Sequence, residues 1–114
     1  MSLKINQRKV DGVTVLDLSG RLVLGEETTS LRDTLKGLVG RGEKKILLNL
    51  AGVNYMDSSG LGTLVGGYTS VASQKGQMKL VHLNSKVHDL LRVTKLVTVF
   101  EVHEDENKAI KSFA

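Results

Sequence analysis

The sequence predicts an α/β domain: a mostly parallel sheet of four to five strands, opened by an antiparallel hairpin and covered by about four helices in the order ββαβαβαβα. Three observations carry that prediction. Short apolar stretches alternate with segments of helical periodicity along the whole chain. The run Lys45-Ile46-Leu47-Leu48-Asn49-Leu50 is nearly unbroken in its apolar character, as in a strand covered on both faces at the centre of a parallel sheet. Asp11-Gly12, between the first two apolar stretches, is a hairpin turn signal. Repeated strand–helix–strand units of this length call for right-handed crossovers, and so for parallel pairing after the hairpin.

Taken in order, Leu3 to Arg8 and Val13 to Leu18 are the hairpin strands, the second ending at Gly20. From about Glu26 to Val39, Leu31, Leu35, Leu38 and Val39 fall at the spacing of one buried helical stripe. Glu26 and Glu27 suit the first turn, where the helix dipole favours a carboxylate, and Gly40 and Gly42 supply the stop. After the central strand, a helix begins at Ser58 or Ser59, with Leu61, Leu64, Val65, Tyr68, Val71 and Ala72 as its stripe and Lys75-Gly76 as its close. Met78 to Leu83 reads as a strand. Val87, Leu90, Leu91 and Thr94 form a third helical face behind a Ser85 cap. Val97 to Val102 completes the strands, and Glu104 to Ala114 is a terminal helix with Ala109, Ile110 and Phe113 inward.

Composition narrows the function. The 114 residues are 40% hydrophobic and 25% charged, enough to bury the core of one domain over 1–114. No cysteine is present, which removes disulfides, thiolate metal sites and cysteine nucleophiles together. The net charge of +4 is spread from Lys4 to Lys111 with acids interspersed, and only four aromatic residues occur, so neither a basic stripe nor a base-stacking platform is formed. No direct contact with nucleic acid is expected. No apolar run approaches the roughly 20 residues of a membrane helix, and Met1 to Asn6 lacks the hydrophobic segment of a signal peptide. A cytoplasmic protein without a membrane association is the expectation, monomeric when free.

One segment concentrates the chemistry. Asn54-Tyr55-Met56-Asp57-Ser58-Ser59-Gly60-Leu61-Gly62 follows the most apolar strand and opens the best-defined helix. Partners and ligands of open α/β sheets gather at the carboxyl ends of the strands, and a helix start offers unpaired N–H groups that suit an anion. Glycines 60, 62, 66 and 67 crowd this helix although each interior glycine costs about 1 kcal/mol relative to alanine. Gly66 and Gly67 are expected to serve packing, and Gly60 and Gly62 to leave room for a partner. On capping preference alone, Asp57 and Ser58 read as plain N-cap residues.

The stretch Leu48-Asn49-Leu50 through Val65, centred on Asp57-Ser58-Ser59-Gly60-Leu61-Gly62, resembles the signature of the anti-sigma factor antagonists of the STAS family (sulfate transporter and anti-sigma factor antagonist). The likeness extends over essentially the whole chain, from the hairpin ending in Leu18-Ser19-Gly20 to Val87-His88-Asp89-Leu90-Leu91. It implies a STAS domain that is not an enzyme and that works by partner switching. In that scheme the unphosphorylated antagonist binds an anti-sigma factor serine kinase and frees the sigma factor. Phosphorylation by the kinase, with ATP, ends the complex, and a PP2C-type phosphoserine phosphatase restores it. Carried onto this chain, the phosphoacceptor is Ser58, with Ser59 the second candidate. Asp57, Ser59, Gly60, Leu61 and Gly62, together with Arg21, form the partner-binding surface. One feature departs from the pattern: many such antagonists carry Gly-x-Leu-Asp after the second strand, whereas Gly20-Arg21-Leu22 is followed here by Val23, which bears on partner choice.

Two other classes of function bear on the same residues. A nucleotide-binding enzyme would need a Gly-x-x-x-x-Gly-Lys-Ser/Thr loop or a Gly-x-Ser-x-Gly elbow, and neither is present. His82, His88 and His103 lack metal-ligand spacing; His82 is read as pointing out of a strand, His88 as surface and His103 as part of a turn. No cofactor or metal is expected. A constitutive STAS adaptor, in a signalling assembly or transport complex and without a phospho-switch, is the alternative.

Overall fold

A computed structural model describes residues 3–113. The elements are β1 (Leu3–Val10), β2 (Val13–Leu22), α1 (Glu26–Gly40), β3 (Lys45–Met56), α2 (Ser58–Ser73), β4 (Gln77–Val81), α3 (Ser85–Val93), a 3-10 turn (Leu96–Thr98), β5 (Val102–His103) and α4 (Glu106–Ser112). They form one five-stranded sheet in the order β1-β2-β3-β4-β5, antiparallel between β1 and β2 and parallel elsewhere.

Alternation along the strands sorts the core into two layers. Leu16, Leu18, Ile46, Leu48 and Leu50 face α1, α2 and α3, meeting Leu31, Leu35, Leu38, Leu64, Val71, Val87 and Leu91. Val13, Val15, Leu47 and Val81 face the other way, where Ala109 and Ile110 of α4 cover them. The apolar run in β3 is therefore buried on both faces, as its composition predicts.

Several boundaries differ from the expectation, each for a non-local reason. Gly20 does not end β2. With φ near 105° it lies at an irregularity in the β2–β3 register, after which Arg21 pairs with Tyr55 and Leu22 with Met56. That continuation carries β3 six residues past Leu50, and Gly52 permits it, since a Cβ there would stand 2.6 Å from Cβ of Ser19. β4 stops at Val81, because His82 adopts a left-handed φ of 61° instead of continuing the strand. Asn84, not Ser85, caps α3: its Oδ1 accepts from the Val87 N–H at 2.8 Å while its Nδ2 donates to the Val53 carbonyl at 2.6 Å. Thr94 is exposed just beyond α3. Val97 to Val102 is not a strand. Its residues pack on the core from a 3-10 turn and a short irregular link, and only Val102–His103 pairs with β4. His103 thus belongs to β5, with Nε2 2.6 Å from Glu101 Oε2. The last helix starts at Glu106, behind Asp105, and Ala114 lies outside the described residues.

Candidate functional site

The ends of β2 and β3 and the start of α2 meet at one point, and Asp57 ties them. Its extended backbone precedes the helix, and Oδ1 accepts from the Gly60 N–H at 2.8 Å, a standard N-cap bond. Oδ2 accepts from the Leu24 N–H at 3.0 Å, so the same carboxylate also holds the β2–α1 loop. The Asp57 N–H in turn donates to the Leu22 carbonyl at 3.3 Å. Donation from Gly60 first, and from Leu24 next, holds the Asp57 carboxyl below the usual aspartate range. Asp57 is thus a capping and loop-tying residue, half-buried, with both oxygens engaged inside the chain.

Capping by Asp57 places Ser58 and Ser59 at the first two helical positions. Ser58 is exposed and Ser59 half-buried, and neither hydroxyl has a hydrogen-bond partner among the described residues. The backbone of Ser59 accepts from the Thr63 hydroxyl at 3.0 Å.

Two members of the expected docking surface are turned inward. Gly60 is buried, and a Cβ on it would lie 2.2 Å from the Leu22 carbonyl oxygen; this glycine exists so that α2 can touch the end of β2. Leu61 is 5% exposed and belongs to the core, because the helix turn that exposes Ser58 points it at the sheet. Gly62 faces open space, as expected. Gly67 is a packing glycine, its Cβ position 2.6 Å from Leu35 Cδ1, whereas Gly66 also faces open space and is not required for packing. The functional division is therefore Gly60 and Gly67 inward, Gly62 and Gly66 outward.

Arg21 is the expected contact residue outside the α2 segment, and the described residues add exposed apolar groups that the sequence did not mark. Arg21, exposed on β2, lies with its guanidinium carbon 5.4 Å from the centre of the Tyr55 ring. Among the described residues the exposed large hydrophobics are Tyr55, Leu24 and Val93, at 47%, 74% and 77%. Strand alternation would have suggested Tyr55, but Leu24 and Val93 carry no sequence signal beyond an apolar side chain in a turn or at a helix end. Val23 is half-buried. Among the described residues no cluster of three or more His, Asp or Glu is arranged to hold a metal, and no helix is long and apolar enough to cross a membrane.

The arrangement defines an α/β domain whose distinctive site is an exposed, unengaged hydroxyl on a capped helix start. The chain belongs to the STAS domain family, whose model matches residues 4–109. It is 29% identical over 110 residues to the anti-sigma F factor antagonist of Paenibacillus polymyxa, covering 96% of this chain and 94% of that one. It superposes with a TM-score of 0.86 on a Thermotoga maritima protein provisionally described as an anti-sigma factor antagonist, at 26% identity over 96% and 93% of the two chains. The same fold recurs in the phosphorylated form of the Bacillus cell fate determinant SpoIIAA, with a TM-score of 0.76, 20% identity and coverage of 95% and 97%.

Proposed function

We propose that this protein is an anti-sigma factor antagonist whose binding to an anti-sigma factor serine kinase is ended by phosphorylation of Ser58 and restored by a PP2C-type phosphatase. The observation that carries the reading is the state of Ser58: exposed, its hydroxyl without a hydrogen-bond partner among the described residues, at the first position of α2, next to a carboxylate whose two oxygens are already held. A phosphate adds a charge of about −1.5 to −2. On the free protein, the N-terminal end of α2 partly offsets that charge. In an interface it meets the Asp57 carboxylate and the cost of desolvation, so it weakens the complex far more than the fold. Ser58, Ser59, Gly62 and Arg21 are the expected contact residues; Tyr55 and Leu24 join them as apolar anchors, since aromatic and Arg side chains dominate interface energetics. Asp57, Gly60 and Leu61 act through the shape of the loop.

The test is calorimetric titration of wild type, Ser58→Ala and Ser58→Asp with the anti-sigma kinase of the same organism, with urea unfolding of each variant as the control. Ser58→Ala binds and resists ATP-driven release, while Ser58→Asp keeps its unfolding midpoint and loses binding. Wild-type affinity in Ser58→Asp would contradict the switch and favour a constitutive adaptor.

A further inference from the structure

Ser58 stands beside a groove that the proposed switch leaves unexplained. α1 and α2 touch where Leu35 reaches Gly67, and the cleft between them has a volume of about 390 Å³, within the roughly 300–1,000 Å³ of small-ligand pockets. Its apolar lining comes from Leu24, Leu35 and the bare backbone of Gly62 and Gly66. A side chain at either glycine would enter open space, so packing does not demand them, and each weakens the helix relative to alanine.

The polar lining is one-sided. Arg32 and Lys36, one turn apart on α1, border the cleft, and no acidic side chain does. Neither cation has an ion-pair partner among the described residues, although like charges at this spacing repel. The Thr28 and Thr63 hydroxyls are spent on the carbonyls of Gly25 and Ser59, at 3.1 and 3.0 Å, which leaves the two cations and the Ser59 and Ser70 hydroxyls to face a ligand. Apolar walls with two unneutralised cations at the edge complement an anion that carries an apolar body.

We propose that the α1–α2 groove binds a small amphipathic organic anion, a medium-chain carboxylate or alkyl phosphate, its chain against Leu24 and Leu35 and its head between Arg32 and Lys36. This binding is independent of the partner-switching reading. Only its consequence rests on that reading: a ligand here covers Ser59 and Gly62, and so competes with a partner docked at Ser58.

The test is amide chemical-shift mapping of the intact protein with octanoate and with octyl phosphate, both below their micelle concentrations, against 1-octanol and inorganic phosphate. Saturable shifts at Leu24, Gly62, Gly66 and Gly67 are expected from an amphiphile, and which of the two binds more tightly identifies the head group as carboxylate or phosphate. Octanol and phosphate alone bind markedly more weakly. The double reversal Arg32→Glu/Lys36→Glu lowers affinity by about tenfold, as expected when two near-surface attractions become repulsions. Gly66→Leu abolishes binding with its melting temperature maintained, since its side chain fills the groove from a position with room for it. No saturable shift from either amphiphile, shifts centred on another face, or affinity unchanged in both variants would overturn the proposal.

Discussion

The α4 side of the sheet and the start of α2 treat their polar groups in opposite ways. On the α4 side nearly everything is engaged. Arg8 donates to both oxygens of Asp17, at 2.7 and 3.0 Å, and also pairs with Glu106 of α4, while Asn49 donates to Asp17 at 2.8 Å. Lys79, 5% exposed, pairs with Glu101 at 3.0 Å, donates to the backbone carbonyl and hydroxyl of Ser112, and lies 4.8 Å from the centre of the Phe113 ring. At the start of α2 the opposite holds: among the described residues the Ser58 and Ser59 hydroxyls have no partner, and Leu24 is exposed on the loop that Asp57 ties. Saturated groups fasten α4 to the sheet and leave nothing to offer a partner. Unsaturated groups add little to stability and are available for recognition. Asp57 is the exception at the α2 end, and its full engagement is what keeps the neighbouring serines presented.

The largest expected effect breaks this comparison at its hinge. Gly60→Val drives a branched side chain into the Leu22 carbonyl and costs about 3 kcal/mol or prevents folding. A urea midpoint within error of wild type would mean that α2 does not rest on β2 as described.

Acid is the next lever. Arg8 holds Asp17 and Glu106 below the usual carboxylate range, Lys79 does so for Glu101, and Lys9 for Glu43; backbone donors do so for Asp57. A depressed carboxylate stabilises the fold fully above its unfolded pKa of about 4 and loses that contribution as the pH falls through the folded value. Unfolding midpoints are therefore expected to be level from neutral pH to about 5 and to fall below about 4. Arg8→Met flattens that fall more than Asp57→Ala, because it releases two carboxylates instead of removing one. Equal slopes would place the acid sensitivity away from the α4 side.

At neutral pH, Asp57→Ala costs about 1–2 kcal/mol, the loss of an N-cap, and frees the Leu24 loop, observable as faster amide exchange at Leu24 and Gly60. Gly66→Ala has the smallest effect and the opposite sign: it raises stability by about 0.5–1 kcal/mol, since its methyl meets nothing. Destabilisation by Gly66→Ala would show that the groove side of α2 is closely covered.

Much of this was legible in the sequence because it is local. The stripe Leu61, Leu64, Val71 and the pair Asp57-Ser58 fix where α2 begins and which face it buries. The unbroken Ile46-Leu47-Leu48 marks a strand with two covered faces. What was not legible depends on contacts between distant segments. Whether Gly60 or Gly62 has room for a side chain is decided by Leu22, on another strand. β3 reaches Met56 only because β2 resumes beyond Gly20. The stretch from Val97 to Val102 is apolar enough for a strand, but it spends those side chains on the core from an irregular backbone. Leu24 gained its place in the site from a bond that Asp57 makes to its N–H, which no periodicity encodes.

The central claim is that Ser58 is a switch built on a fold that does not need it. Its most direct test is mass spectrometry with fragment mapping after incubation with ATP and the anti-sigma kinase of the same organism, alongside native gel analysis of the complex. A single phosphate on Ser58, with the complex lost and the unfolding midpoint unchanged, is the predicted result. No phosphate, phosphate on Ser59 alone, or a complex that survives phosphorylation of Ser58 would contradict it.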